Sequence, residues 1–126
     1  MYMSRIDQVL VAMTTALEDA VRAGGYVYAN AVKRKLAGGY TSGDFVTGNT
    51  TASVRVTEPQ QTAEWVEVRV GTDLLYNLFW EIGHRNIFTR RFERVEVWRP
   101  TLLEERERIR AVILATASAR IQSMVQ

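Results

Sequence analysis

"ASVRVTEPQQTAEWVEVRV", Ala52 to Val70, is the stretch that decides the fold. Over Ala52–Thr57 the residues Ala52, Val54 and Val56 alternate with Ser53, Arg55 and Thr57. Over Glu64–Val70 the residues Val66, Val68 and Val70 alternate with Trp65, Glu67 and Arg69. Period-two alternation with β-branched residues on one face predicts two half-buried strands. The intervening Glu58-Pro-Gln-Gln-Thr62 predicts a hairpin loop, which makes the pair antiparallel. Trp65 falls on the face opposite the valines.

On the N-terminal side, Ser4 to Leu36 predicts one long amphipathic helix. Ile6, Val9, Leu10, Met13, Leu17, Ala20, Val21, Tyr28 and Ala31 recur at three- and four-residue steps. Ser4 followed by Asp7 resembles a capping arrangement. Gly24-Gly25 interrupts the pattern at about 1 kcal/mol per glycine relative to alanine. The apolar phase survives across the pair, so one weakened helix is expected rather than two. Lys33, Arg34 and Lys35 complement the dipole at the helix end, and Gly38-Gly39 stops it. "GGYTSGDFVTGNTT", Gly38 to Thr51, reads as a long flexible loop.

On the C-terminal side, Thr72 or Asp73 is placed to cap a short aromatic helix carrying Leu75, Leu78, Phe79 and Ile82, with Gly83 as its stop. A basic, irregular segment follows from His84 to Glu93. Arg94 to Arg99 alternates once more, with Val95 and Val97 against Arg94, Glu96 and Trp98, and predicts a third strand. The last helix is expected to start near Pro100, with Thr101 and Glu104 as a capping box. Its stripe is Leu102, Ile109, Ile113, Ala117, Ile121 and Met124, and Glu104 and Arg108 are spaced to pair outside it. The expected fold is therefore a single α+β domain over residues 1–126. It has a long N-terminal helix, a small antiparallel sheet made of a β-hairpin plus a third strand, a short aromatic helix and a C-terminal helix.

The 126 residues are 47% apolar and 24% charged, the balance of an ordinary globular protein. No apolar run approaches the roughly 20 residues of a membrane span, so no membrane association is expected. The N-terminus lacks the charged and apolar regions of a signal peptide. There is no cysteine, which removes disulfides, thiolate metal sites and cysteine nucleophiles, and fits synthesis in a reducing cytosol. A formal charge of +2 is too small to announce nucleic-acid binding.

Groups suited to catalysis are sparse. His84 is the sole histidine, with Glu81 three residues before it, and such a pair lacks the third ligand of a metal site. "GGYTSG" has neither the Lys-Ser/Thr ending nor the preceding strand of a phosphate loop. No catalytic residue, metal or cofactor is expected. The basic segment is richer: Arg85, Arg90, Arg91, Arg94 and Arg99 are interleaved with Ile87, Phe88, Phe92 and Trp98 against Glu93 and Glu96. Arginine among aromatics suits a protein interface and also phosphate contacts.

The order of these pieces resembles the tail-completion (head–tail joining, minor capsid or neck) protein family of long-tailed bacteriophages, related prophages and gene-transfer particles. Thr47-Gly48 precedes the first strand, Ala52-Ser-Val-Arg-Val56, and the second strand ends in Val70-Gly71. Tyr76 leads an aromatic helix closing in Trp80-Glu-Ile-Gly83, and Arg99-Pro-Thr-Leu-Leu-Glu104 opens the final helix. The family's Ala-Pro-Val-Asp before Thr-Gly is replaced here by "SGDFV", and the segment after Gly83 is longer and more basic.

The resemblance implies a structural virion protein without enzymatic activity. It would be made in the host bacterial cytoplasm and sit at the head–tail junction as a tail-completion or tail-terminator-like ring subunit. Its partners would be further copies in a hexameric ring, the adjoining neck and tail-tube proteins, and genomic DNA passing through the lumen without sequence reading. On that reading Trp65, Tyr76, Trp80 and Trp98 are candidate subunit-interface anchors, since tryptophan and tyrosine are enriched at interface hot spots. Arg85, Arg90, Arg91 and Arg94 are candidate contacts to a partner or to DNA. Two rivals belong to other classes: a small nucleic-acid-binding module using Arg85 to Arg99, and a small hydrolase using His84 and Glu81.

Overall fold

A computed structural model describes residues 5–37, 51–73, 81, 84–85, 92–93 and 96–124. Two long helices dominate. Helix α1 (Arg5–Leu36) runs unbroken for 32 residues through Gly24-Gly25. Helix α2 (Trp98–Met124) runs for 27. They lie antiparallel: Arg120, near the end of α2, meets Asp19 in the first half of α1, and Glu104, near the start of α2, meets Lys35 in the last turn of α1. The pairing expected between Glu104 and Arg108 is replaced, because Lys35 takes Glu104 while Arg108 turns to Glu105 at 3.7 Å.

Between the helices lie short antiparallel strands, as the α+β reading requires. Strands β1 (Arg55–Val56) and β4 (Val70–Gly71) pair as Arg55↔Gly71 and Val56↔Val70. Strands β2 (Gln60–Gln61) and β3 (Val66–Glu67) pair as Gln60↔Glu67 and Gln61↔Val66. The expected hairpin is present, but it is longer and its turn lies elsewhere. The chain reverses at Ala63-Glu64, where the Thr62 amide donates to the Trp65 carbonyl and the Trp65 amide to the Thr62 hydroxyl. Glu58-Pro59, read from sequence as loop, is instead a bulge. The Thr57 amide still bonds the Arg69 carbonyl, so two residues stand opposite the single Val68 before pairing resumes. Proline has no ladder donor to lose there. Glu58 reaches across to Arg22 on α1.

The start of the first strand differs too. Thr51 and Ala52 form a helical turn, closed by the Val54 amide on the Thr51 carbonyl, and the strand begins at Arg55. The valines nonetheless share one face. Val56, Val68 and Val70 crowd over Gly25, where an added Cβ would come within 2.9 Å of Val68 and 3.1 Å of Val56. At Gly24 it would come within 2.6 Å of Ile113 on α2. The glycine pair thus lets α2 and the hairpin lie close against α1, and no larger residue fits there without displacing them. The sealed core lies one to three turns further on: Ala29, Val32, Leu36, Val54 and Val97, flanked by Tyr28, Val56, Val70 and Trp98.

Two sequence expectations fail near the start of α2. The third strand over Arg94 to Arg99 is not formed in its described part, since Glu96 and Val97 are irregular and helix begins at Trp98. Pairing occurs earlier, between β5 (His84–Arg85) and β6 (Phe92–Glu93), in the register His84↔Glu93 and Arg85↔Phe92. The segment read as irregular therefore has paired ends. The Thr101 capping box is also absent: the first helical hydrogen bond runs from the Thr101 amide to the Val97 carbonyl, so Thr101 lies inside the helix and is fully buried. Pro100 falls in the first turn, where its missing N–H costs nothing. Of the expected short aromatic helix only Glu81 is described, and it is helical.

Candidate interaction surfaces

The cap of α2 comes from a distant residue. One carboxylate oxygen of Glu81 accepts both the Val97 and the Trp98 amides, the latter at 2.8 Å. These amides are among the donors that a helix N-terminus leaves unsatisfied, and a carboxylate there is favoured by the helix dipole. This explains why the helix begins before Pro100. The carboxylate that sequence reading paired with His84 is engaged with the helix end. His84 itself is described only as backbone of β5.

Beside the cap, the Tyr28 hydroxyl donates to the Trp98 carbonyl at 2.6 Å, and the two rings meet edge to face with centroids 6.2 Å apart. Burial, together with the nearby Glu81 charge, pushes the Tyr28 phenol up to about 12 from 10.0. It therefore remains a donor throughout the neutral range. The Trp98 indole N–H and the Thr101 hydroxyl are buried beside this cluster without a hydrogen-bond partner among the described residues.

The candidate anchors separate accordingly. Trp98 is half-buried against Tyr28 at the start of α2, not on a strand face opposite the valines. Trp65 does stand on the outward side of the hairpin, 56% exposed, its indole N–H bonded to Glu67 at 3.2 Å. Tyr76, Trp80, Arg90, Arg91 and Arg94 lie outside the described residues, and of Arg85 only the backbone in β5 is described. Near Trp65's face, Arg55, Thr57 and Arg69 border a shallow hollow reaching to Asp73, and Arg69 leans on Glu67 at 3.6 Å.

A larger surface was not foreseen, because its residues read as core. Val9, Leu10, Val11, Met13 and Leu17, in the first half of α1, are all exposed, Leu10 at 56% and Leu17 at 44%. Thr14 and Thr15 spend their hydroxyls on the carbonyls of Leu10 and Val11, so they add little polarity there. Leu10, Leu17, Val21, Gly24 and Tyr28, separated by seven, four, three and four residues, share one helical face. From Val21 onward that face floors an open apolar groove of about 280 Å³, walled by Val66, Val68 and Val70 of the hairpin and by Leu102, Ile109 and Ile113 of α2. Exposed stripe and groove thus form one gutter, about 27 Å long at the helical rise of ~1.5 Å per residue.

Among the described residues no three His, Asp or Glu side chains converge as a metal site, and no helix is long and apolar enough to cross a membrane. Comparison with known protein families, curated proteins and solved structures finds no match for this chain.

Proposed function

We propose that this chain is a structural subunit of a phage head–tail junction, a tail-completion or tail-terminator-like protein that assembles into a ring, hexameric in the form the resemblance implies. The observation that carries this reading is the gutter. A chain of 126 residues leaves a continuous apolar face along half of its longest helix, and contiguous apolar surface of this extent marks an interaction site rather than ordinary exposure. The order of long helix, hairpin and closing helix supports it, being the order the resemblance predicts. Trp65 on the outward side of the hairpin supplies an aromatic anchor of the kind that dominates interfaces.

In this role the protein needs no catalytic group. Its partners are further copies of itself, the adjoining neck and tail-tube proteins, and DNA passing through the lumen, with any phosphate contact weak, salt-dependent and blind to sequence. Negative-stain images of the purified protein at high concentration test the proposal. Closed rings with a central lumen are expected; uniformly monomeric particles would overturn it.

A further inference from the structure

The first turn of α2 holds several groups in places that do not suit them. The Thr101 hydroxyl and the Trp98 indole N–H are buried with no hydrogen-bond partner among the described residues, Thr101 at 0% exposure. An orphaned buried donor disfavours the state that contains it. Arg99 is helical directly before Pro100, although proline biases the residue before it towards extended backbone. Glu96, Val97 and Trp98 belong to an alternation that reads as strand. A helix that starts at Leu102 instead of Trp98 removes all of these conflicts.

We infer that α2 has two alternative starts and that Glu81 selects between them. With the Glu81 carboxylate on the Val97 and Trp98 amides, the helix runs from Trp98. When Glu81 withdraws, residues 98–100 unwind and Thr101 becomes the cap. Its hydroxyl then accepts the Glu104 amide, and the Glu104 carboxylate accepts the Thr101 amide. That is the capping box written in Thr101-Leu-Leu-Glu104. Pro100 then precedes the cap, and Arg99 is free to extend.

Each new bond replaces one already made. The Thr101 amide leaves the Val97 carbonyl, and Glu104 leaves Lys35, an exposed ion pair of a kind that contributes little. The Tyr28 hydroxyl leaves the Trp98 carbonyl, and the two rings lose their edge-to-face contact. These losses make the long start the ground state and the short start a minor one. The consequence is reach. Going from ~1.5 to ~3.3 Å per residue over 98–100 adds about 5 Å of chain between β6 and α2. Because β5 and β6 lie in sequence between Glu81 and Val97, the same carboxylate closes the base of that strand pair, and its release lets the pair shift against the helices. The device stands whether or not the chain forms rings.

Two backgrounds of the full chain give opposite signs for one substitution. With Glu81 in place, Thr101→Val removes an orphaned hydroxyl and should raise the urea midpoint. In Glu81→Ala the same substitution removes the cap in use and should lower it. Nuclear magnetic resonance reads the start directly. In Glu81→Ala the Cα shifts of Trp98 and Arg99 should lose their helical values while those of residues 102–124 keep them. The Glu104 amide should stay slow to exchange in Glu81→Ala and exchange about tenfold faster once Thr101→Val is added. A midpoint shift of the same sign in both backgrounds, or helical shifts persisting at Trp98 and Arg99, would overturn the second start. So would a Glu81→Ala chain without helical circular dichroism, because Thr101 would then have failed to take over the cap.

Discussion

The two halves of α1 are built from the same apolar periodicity and end in opposite circumstances. In the second half Ala29, Val32 and Leu36 are shut in by Val54 and Val97, with Val32 at 0% exposure. In the first half Leu10, Met13 and Leu17, at the same three- and four-residue spacing, remain open. The glycine pair lies at the boundary, where both α2 and the hairpin pack against it. Periodicity therefore specifies that a face is apolar. What covers it depends on how far the hairpin and the second helix reach: in the first half Ala16 and Ala20 are buried, but Leu10, Met13 and Leu17 are left open.

The contrast breaks most sharply by truncation. Leu36→Ala should lower unfolding free energy by about 2–5 kcal/mol, the usual cost of emptying a sealed leucine site. Leu17→Ala, measured in the same chemical denaturation at a concentration too low for association, should change it by no more than about 0.5 kcal/mol. Equal losses at the two sites would mean that the halves are not different in kind.

At the boundary, Gly25→Ala should destabilise by about 1–3 kcal/mol, because the new methyl meets the stiff side chains of Val68 and Val56. Gly24→Ala should cost at least as much, because its methyl would come within 2.6 Å of Cγ1 on Ile113, a branched side chain as stiff as valine. Thermal melts of both variants should fall below wild type; either one melting at or above wild type would contradict the account of the glycine pair.

A smaller effect concerns the sealed end of the fold. Glu81→Ala should cost about 0.5–2 kcal/mol by uncapping α2, and amide exchange should rise first at Val97 and Trp98. The least effect is that of pH. The Tyr28 phenol is raised in the folded state from 10.0 to about 12, so its contribution is fully present below pH 10 and is lost as pH climbs from 10 towards 12. Urea midpoints across that range should fall less steeply for Tyr28→Phe than for wild type; identical slopes would place the ionisation elsewhere.

Much of this was legible in the sequence. Valine alternation and helical spacing predicted the two long helices, the antiparallel hairpin and the outward position of Trp65, because each is a local pattern with one periodicity. The errors came where a distant group decides. Glu81 caps α2 across sixteen residues, starting the helix where alternation suggested a strand and leaving Thr101 buried in it instead of at its cap. The Glu58-Pro59 bulge moved the turn to Ala63-Glu64, since proline and glutamine read as loop when the ladder is not in view. The gutter was hidden because an exposed leucine and a buried one are the same letter. Its one sequence signal is the Gly24-Gly25 pair, which on an otherwise apolar face marks close packing by a neighbour.

Amide hydrogen exchange along α1, followed by mass spectrometry in dilute and in concentrated protein, tests most directly the claim that its first half is an assembly surface. Amides from 29 to 36 should be protected at both concentrations. Those from 9 to 17 should exchange readily in dilute protein and become protected in step with the rise in solution mass. A rise in mass that leaves the exchange of residues 9–17 unchanged would contradict it.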